Sequence, residues 1–126
     1  GIMSGAYLKD ATDPQWDKDP GMGEWRAFMN KYMAGADQLD NNYIAAYAFS
    51  FTMRKVLEQC KGNFTRENIM KEVNNLHDVE VPVLLPGIKL NTSPTNHHPV
   101  RALQLQKWDG KKWVLFGDVI QGEADS

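Results

Sequence analysis

Few residues in this chain are of types that do chemistry, and their spacing narrows the choice further. The imidazoles are His77, His97 and His98, and the one thiol is Cys60. His97 and His98 are adjacent, so their side chains diverge, while His77 comes well before them, after a helical stretch. A metal would need a carboxylate to join them, and no Cys and His spacing suits zinc. Asp17 and Asp19 ahead of Gly21 hint at a calcium loop. The hint fails, because the places where an EF-hand needs a third acidic residue, a glycine and a glutamate hold Gly21, Met22 and Phe28. A GxSxG elbow, a Walker loop, a GxGxxG after a strand and an HExxH pair are all missing. The sequence therefore points away from an enzyme, and no metal or cofactor is expected.

What remains is recognition. Asn41, Asn42 and Tyr43 stand at the start of a helical stretch. Free backbone N–H groups and the helix dipole favour a negative group there, and amide and phenol side chains add donors, so a carboxylate would suit the place. The competing reading is that Asn41 caps the helix and Tyr43 packs. Asn63-Phe64-Thr65 and Asn91-Thr92-Ser93 fit the glycosylation triplet, yet Thr65 is better explained as a helix cap.

The elements that would position these residues follow from hydrophobic period and turn chemistry. Ile2 to Leu8 reads as a short strand, followed by a loop rich in Asp, Pro and Gly. From Pro20, with Asp19 as N-cap, residues Trp25, Phe28, Met29, Tyr32 and Met33 form one helical stripe that reads as core, and Gly35 is expected to end the helix. A long helix runs from about Asn42 to Lys61, capped by Asp40 or Asn41 and stopped at Gly62. Its first half is apolar nearly all round and is expected to be buried, with Cys60 a buried thiol near its end. Thr65 starts a third helix with Ile69, Met70, Val73 and Leu76 on one stripe, ending near Asn74 or Asn75. The stretch 79–85 is extended and broken by Pro82, and Pro86-Gly87 precedes Ile88, Leu90 and a polar loop.

The clearest local signal is a β-hairpin. Asp109-Gly110 between Ala102 to Trp108 and Lys112 to Val119 suits a two-residue type I′ turn, which needs positive φ at both central positions. Leu103 and Leu105 share one face of the first arm, with Gln104, Gln106 and Trp108 on the other. In the second arm Trp113, Leu115 and Gly117 oppose Val114 and Phe116, so that arm is apolar on both faces and wants cover on both. The polar tail, 121–126, is expected to be disordered.

The totals agree with one domain that has a real core: 126 residues, 42% of them hydrophobic. Fourteen basic residues against 16 acidic ones, a formal charge of -2, give no footprint for nucleic acid or an anionic membrane surface. No apolar run is long enough to span a membrane, and the start lacks the basic and apolar regions of a signal peptide.

Five segments in order carry a resemblance: GAYLKDATDPQW, EWRAFMNKY, NNYIAAYAFSFTMRKVLEQC, TRENIM, and the stretch from Leu84 to Ile120. Together they resemble the C-terminal portion of periplasmic substrate-binding proteins of ABC importers. The type is the branched-chain amino acid (Leu/Ile/Val)-binding family, whose proteobacterial members take up amino acids or aromatic carboxylates. The resemblance implies an α/β chain with the type I periplasmic-binding-protein fold, two lobes clamping a ligand, of which this chain would be a fragment. Residues 1–97 would complete the first lobe, 98–120 would be the last crossover and a hairpin of the second, and 121–126 a tail. It implies ligand contacts from Asn42 and Tyr43, with Tyr47 packing one turn on and Tyr7, at the strand end near a crossover, a further candidate. The implied function is capture of a small carboxylate-bearing solute in the periplasm for delivery to ABC permease subunits, without chemistry. The alternative is a ligand-sensing domain of the same fold in a receptor or regulator. A fragment holding pieces of two lobes would expose apolar surface and is expected to self-associate.

Overall fold

Each helix begins where a short polar side chain takes over an amide that the helix itself cannot satisfy. In the computed structural model, which describes residues 1–122, the Asp19 carboxylate accepts the Met22 N–H and opens α1 (Pro20–Tyr32), with Pro20 in its first turn. Asp40 accepts the Asn42 N–H and opens α2 (Asn41–Gln59). Thr65 accepts the Asn68 N–H and opens α3 (Arg66–Val73). Before them comes β1 (Met3–Ala6), shorter than the expected strand, and a single 3-10 turn at Pro14–Trp16. After them come β2 (Ala102–Trp108) and β3 (Trp113–Gln121).

The stops differ from expectation at one helix and agree to within a residue at another. α1 closes at Met33, whose N–H donates to the Met29 carbonyl, so the chain has left the helix before Gly35. α2 ends at Cys60, and the residues after it, Lys61 and Gly62, both adopt positive φ. The left-handed turn that stops this helix thus begins one residue earlier than expected, at Lys61, and Gly62 continues it.

The heart of the core is an irregular segment rather than a sheet. Val81, Val83, Leu84, Leu85, Ile88 and Leu90 are all buried. At roughly 1.5–3 kcal/mol for each buried side chain of this size, they supply a large part of the driving force for folding. Pro82 and Pro86 have no N–H to give a ladder, so the segment is tied down piecemeal. Lys9 N–H donates to the Val83 carbonyl, Leu85 N–H to the Tyr7 carbonyl, and Val79 and Leu90 exchange both of their bonds. α1 lays Met22, Trp25 and Met29 onto this segment, and α2 adds Ile44 and Ala48. Cys60 is buried as expected, in a smaller cluster with Val56 and Leu76 under α3. Thr92 closes that cluster, because its hydroxyl accepts the Leu76 N–H and donates to the Val73 carbonyl.

Two expectations about burial are corrected. Of the α1 stripe, Phe28, Tyr32 and Met33 remain 41%, 62% and 40% exposed. The first half of α2 is not buried all round either; Phe49 is 71% exposed, and Met53 and Leu57 on the same face are open as well. Both helices meet the core from one side only, so the far edge of each apolar face is only partly covered among the described residues.

The sheet has the order β1-β2-β3 and is antiparallel throughout. Pairing of Met3 to Ala6 with Gln104 to Lys107 carries it across position 97/98, and Ala102, Leu115 and Val119 reach the main core. The hairpin is present, but its turn is not the two-residue type I′. Trp108 pairs with Trp113, which leaves Asp109 to Lys112 in the loop. Of the four, only Gly110 has positive φ. The Asp109 carboxylate accepts the N–H groups of Lys111 and Lys112, which holds the turn without a second left-handed residue. A register shift opposite Gln104 carries Gly117 at φ +68°, and its carbonyl accepts the Gln104 side-chain amide. The strand itself runs to Gln121, and Gly122 N–H donates to the Arg101 carbonyl, so the first two residues of the expected disordered tail are ordered. Residues 123–126 lie outside the described residues.

Sheet and helical layer are pinned together by Lys9. This lysine is 7% exposed. Its ammonium donates to the Asp19 carboxylate at 2.7 Å and to the Pro82 carbonyl at 2.8 Å, and it lies 5.5 Å from the centre of the Trp16 ring. One cation thus joins the strand exit, the start of α1 and the core segment. Burial pushes the Asp19 carboxyl upward, but the bond from Lys9, the amide of Met22 and the Lys9 charge outweigh it and hold the carboxyl below its ordinary range.

A carboxyl depressed in the folded state adds stability above its unfolded pKa, and that stability is lost as pH falls through the folded value. Denaturant titrations should therefore show a loss of stability on acidification below the ordinary carboxylate range that is reduced in Asp19→Asn. Lys9→Met, which strands a half-buried carboxylate, should cost about 3 kcal/mol in the same titrations at neutral pH. Gly21 supplies a separate check. A Cβ there would overlap the Pro82 carbonyl oxygen and lie 2.8 Å from its carbon, whereas nothing is within 4 Å of one at Gly23. Gly21→Ala should lower stability by about 3 kcal/mol, and Gly23→Ala should raise it by up to about 1 kcal/mol.

Candidate functional site

The start of α2 is already occupied by the chain's own carboxylate. Asp40 accepts the Asn42 N–H at 2.9 Å through its side chain and the Tyr43 N–H at 3.1 Å through its carbonyl. The cap is thus Asp40 rather than Asn41. An incoming carboxylate would meet both a used amide and a negative charge. What Asp40 does offer is an acceptor beside two exposed amide side chains, Asn41 and Asn42, and a phenol.

Tyr43 is half-buried and packs against the main core. It lines a hollow of ≈ 260 Å³ between α1 and α2, walled by Phe28, Met29, Tyr47 and Phe51, with Arg54 at one end. The walls are an aromatic chain: Phe28 meets Tyr47 edge-on with ring centres 5.3 Å apart, and Tyr47 lies 6.3 Å from Phe51. Tyr47 packs here, and burial, followed by the negative charge of Glu24, pushes its phenol upward against the opposing pull of Arg54. Arg54 is itself paired with Glu58 at 3.3 Å and stands over the Phe51 ring.

Tyr7 is 42% exposed and belongs to a different hollow, of ≈ 440 Å³, with Phe49, Val100, Leu103 and Ile120. The three candidate ligand residues are therefore not gathered into one cavity. Tyr43 lines the first, Tyr7 the second, and Asn42 neither.

A third hollow, ≈ 590 Å³, lies beside the Lys9 node and is lined by Lys9, Asp19, Glu24, Glu80 and Pro82. Sequence reasoning missed Lys9, and no local signal marks it. It partners Asp19 across a loop and Pro82 from far along the chain, and neither spacing belongs to a recognised pattern.

Two of the three histidines hydrogen-bond through their rings. His77 Nε2 lies 2.8 Å from the Asn75 side-chain oxygen, and His97 Nδ1 lies 2.9 Å from that of Asn74, so both serve the residues that follow α3. Among the described residues no group of three or more His, Cys, Asp or Glu side chains is placed to hold a metal. Asn63 accepts from Thr65 and organises the cap of α3, and Asn91 accepts the Asp78 N–H. Among the described residues no helix is long and apolar enough to cross a membrane.

No family model matches the sequence, and no curated protein matches it either. A solved structure does match in fold: a branched chain amino acid ABC transporter from Thermus thermophilus with bound valine. The TM-score is 0.66 at 18% identity, over 97% of this chain and 34% of that one. The chain thus spans about a third of the length of the protein it matches, and its fold is that part of a periplasmic-binding-protein fold.

Proposed function

We propose that this chain is part of the substrate-binding component of an ABC importer, which captures a small carboxylate-bearing solute in the periplasm and presents it to permease subunits. The observation that supports this most is the match in fold, along nearly the whole chain, to an ABC transporter structure with bound valine. In this reading residues 1–97 belong mainly to one lobe and the hairpin of 98–120 to the other, with β1, which pairs with β2 across position 97/98, lying at the crossover between them. Closure of the two lobes about the crossovers traps the solute, and no bond is made or broken.

Asn42 and Tyr43, side by side at the start of α2, are the contacts this reading assigns first, with Tyr7, which lines a separate hollow, as a further one. The electrostatics at Asp40 refine the ligand. A carboxylate at the α2 N-terminus disfavours a second one and suits an ammonium, so the α-amino group of an amino acid fits there better than an aromatic acid with no cation. The ligand's own carboxylate would then be held by the opposite lobe.

Isothermal titration calorimetry on the full-length protein with valine, phenylalanine and benzoate tests both parts. An amino acid should bind. Asn42→Ala and Tyr43→Ala should each weaken it by about tenfold, equivalent to about 1.4 kcal/mol. Asp40→Asn keeps a good cap while removing the charge, and should weaken the amino acid without weakening benzoate. If the alanine variants bind as the parent does, the site is elsewhere; if none of the three solutes binds, the ligand class is wrong.

A further inference from the structure

β3 forms one side of the sheet and has no strand beyond it among the described residues. A nine-residue edge with unpaired N–H and C=O groups is a template for another strand, and proteins ordinarily guard such edges with charges or a bulge. This edge has guards of both kinds: Lys112 just before the strand, Asp118 within it, and the irregularity at Gly117. Neither Lys112 nor Asp118 has an ion-pair partner among the described residues.

The two guards are opposite in sign and stand three residues to either side of Leu115. That symmetry changes what they do. When the same strand from a second copy approaches antiparallel, about a twofold axis at Leu115, the ladder between copies spans Trp113 to Gly117, on the near side of the irregularity, and the side chains just beyond its two ends, Lys112 from the loop and Asp118 from the bulge, are brought opposite one another. A guard that repels most strands attracts this one. The same register sets Val114 beside Phe116 twice, on the outer face where they are 41% and 38% exposed. It also keeps Trp113 and Leu115 on the inner side of both copies. Moving the axis by one residue either way sets a charge against an apolar side chain: Lys112 against Phe116, or Asp118 against Val114.

We propose that this chain self-associates by antiparallel pairing of β3 with β3 of a second copy, centred on Leu115, which makes one continuous sheet from the two. The occupant of the edge is a second copy because the charge pattern is complementary to itself. The idea stands apart from the transport reading, since it uses no ligand residue.

Sedimentation equilibrium on the chain at high micromolar concentration is the test. The parent should be a dimer. Lys112→Glu alone and Asp118→Lys alone each set like charges face to face at both ends of the seam, and should weaken the dimer on the order of tenfold or more. A one-to-one mixture of the two variants should recover parental association, because the mixed pair again sets opposite charges against each other. Recovery on mixing is a result that misfolding of either variant cannot produce. A monomeric parent would overturn the proposal. So would a single variant that dimerises as tightly as the parent, or a mixture that stays monomeric.

Discussion

A single buried ammonium joins the parts of this molecule. Lys9 leaves the first strand, meets the carboxylate that caps α1 and accepts a place under the carbonyl of Pro82 in the central segment. Desolvating a lysine is expensive, and it is tolerated because each partner is close and the Trp16 face shields the rest. The arrangement also demands a close approach of α1 to Pro82, which only Gly21 permits. Position and partner are thus coupled: the glycine lets the backbones meet, and the ion pair fixes where they meet.

Around that node the core is built from loops and helices rather than from a ladder. Half of the residues in segment 79–90 are buried, yet the segment pairs only in isolated bridges, Leu8 with Leu84 and Val79 with Leu90. Two prolines prevent regular pairing, and the apolar side chains between them are buried by α1 and α2 instead. The regular sheet lies to one side, reaching the core through Ala102, Leu115 and Val119. Its outer face, with Leu103, Val114, Phe116 and Ile120, stays open. The open face and the open edge thus belong to the same three strands.

The helices and the hairpin were legible in the sequence because their signals are local. Asp19, Asp40 and Thr65 mark helix starts through a side chain that reaches its own next turn. Gly62 marks the stop to within one residue, since the left-handed turn begins at Lys61 and continues through the glycine. The two arms flanking Asp109 and Gly110 were readable too, although the turn between them was not. Asp109 satisfies two amides with its carboxylate, an option that competes with the two-residue turn and leaves no trace in residue types alone.

Burial and the site depended on contacts between distant parts of the chain. Periodicity marks the apolar side of a helix but cannot say how much of that side a neighbour covers, which is why Phe28, Tyr32 and Phe49 read as core and stand exposed. The start of α2 read as an anion site because free amides were assumed, and the placement of the Asp40 side chain decided otherwise. Nor does any spacing foretell that Tyr7 and Tyr43 line separate hollows. The sequence by itself determined the elements and their caps, since those rest on interactions within a few residues. Only the tertiary structure decided that Lys9 would be the joint, because its partners, Asp19 and Pro82, come within reach of it only once the chain has closed on itself.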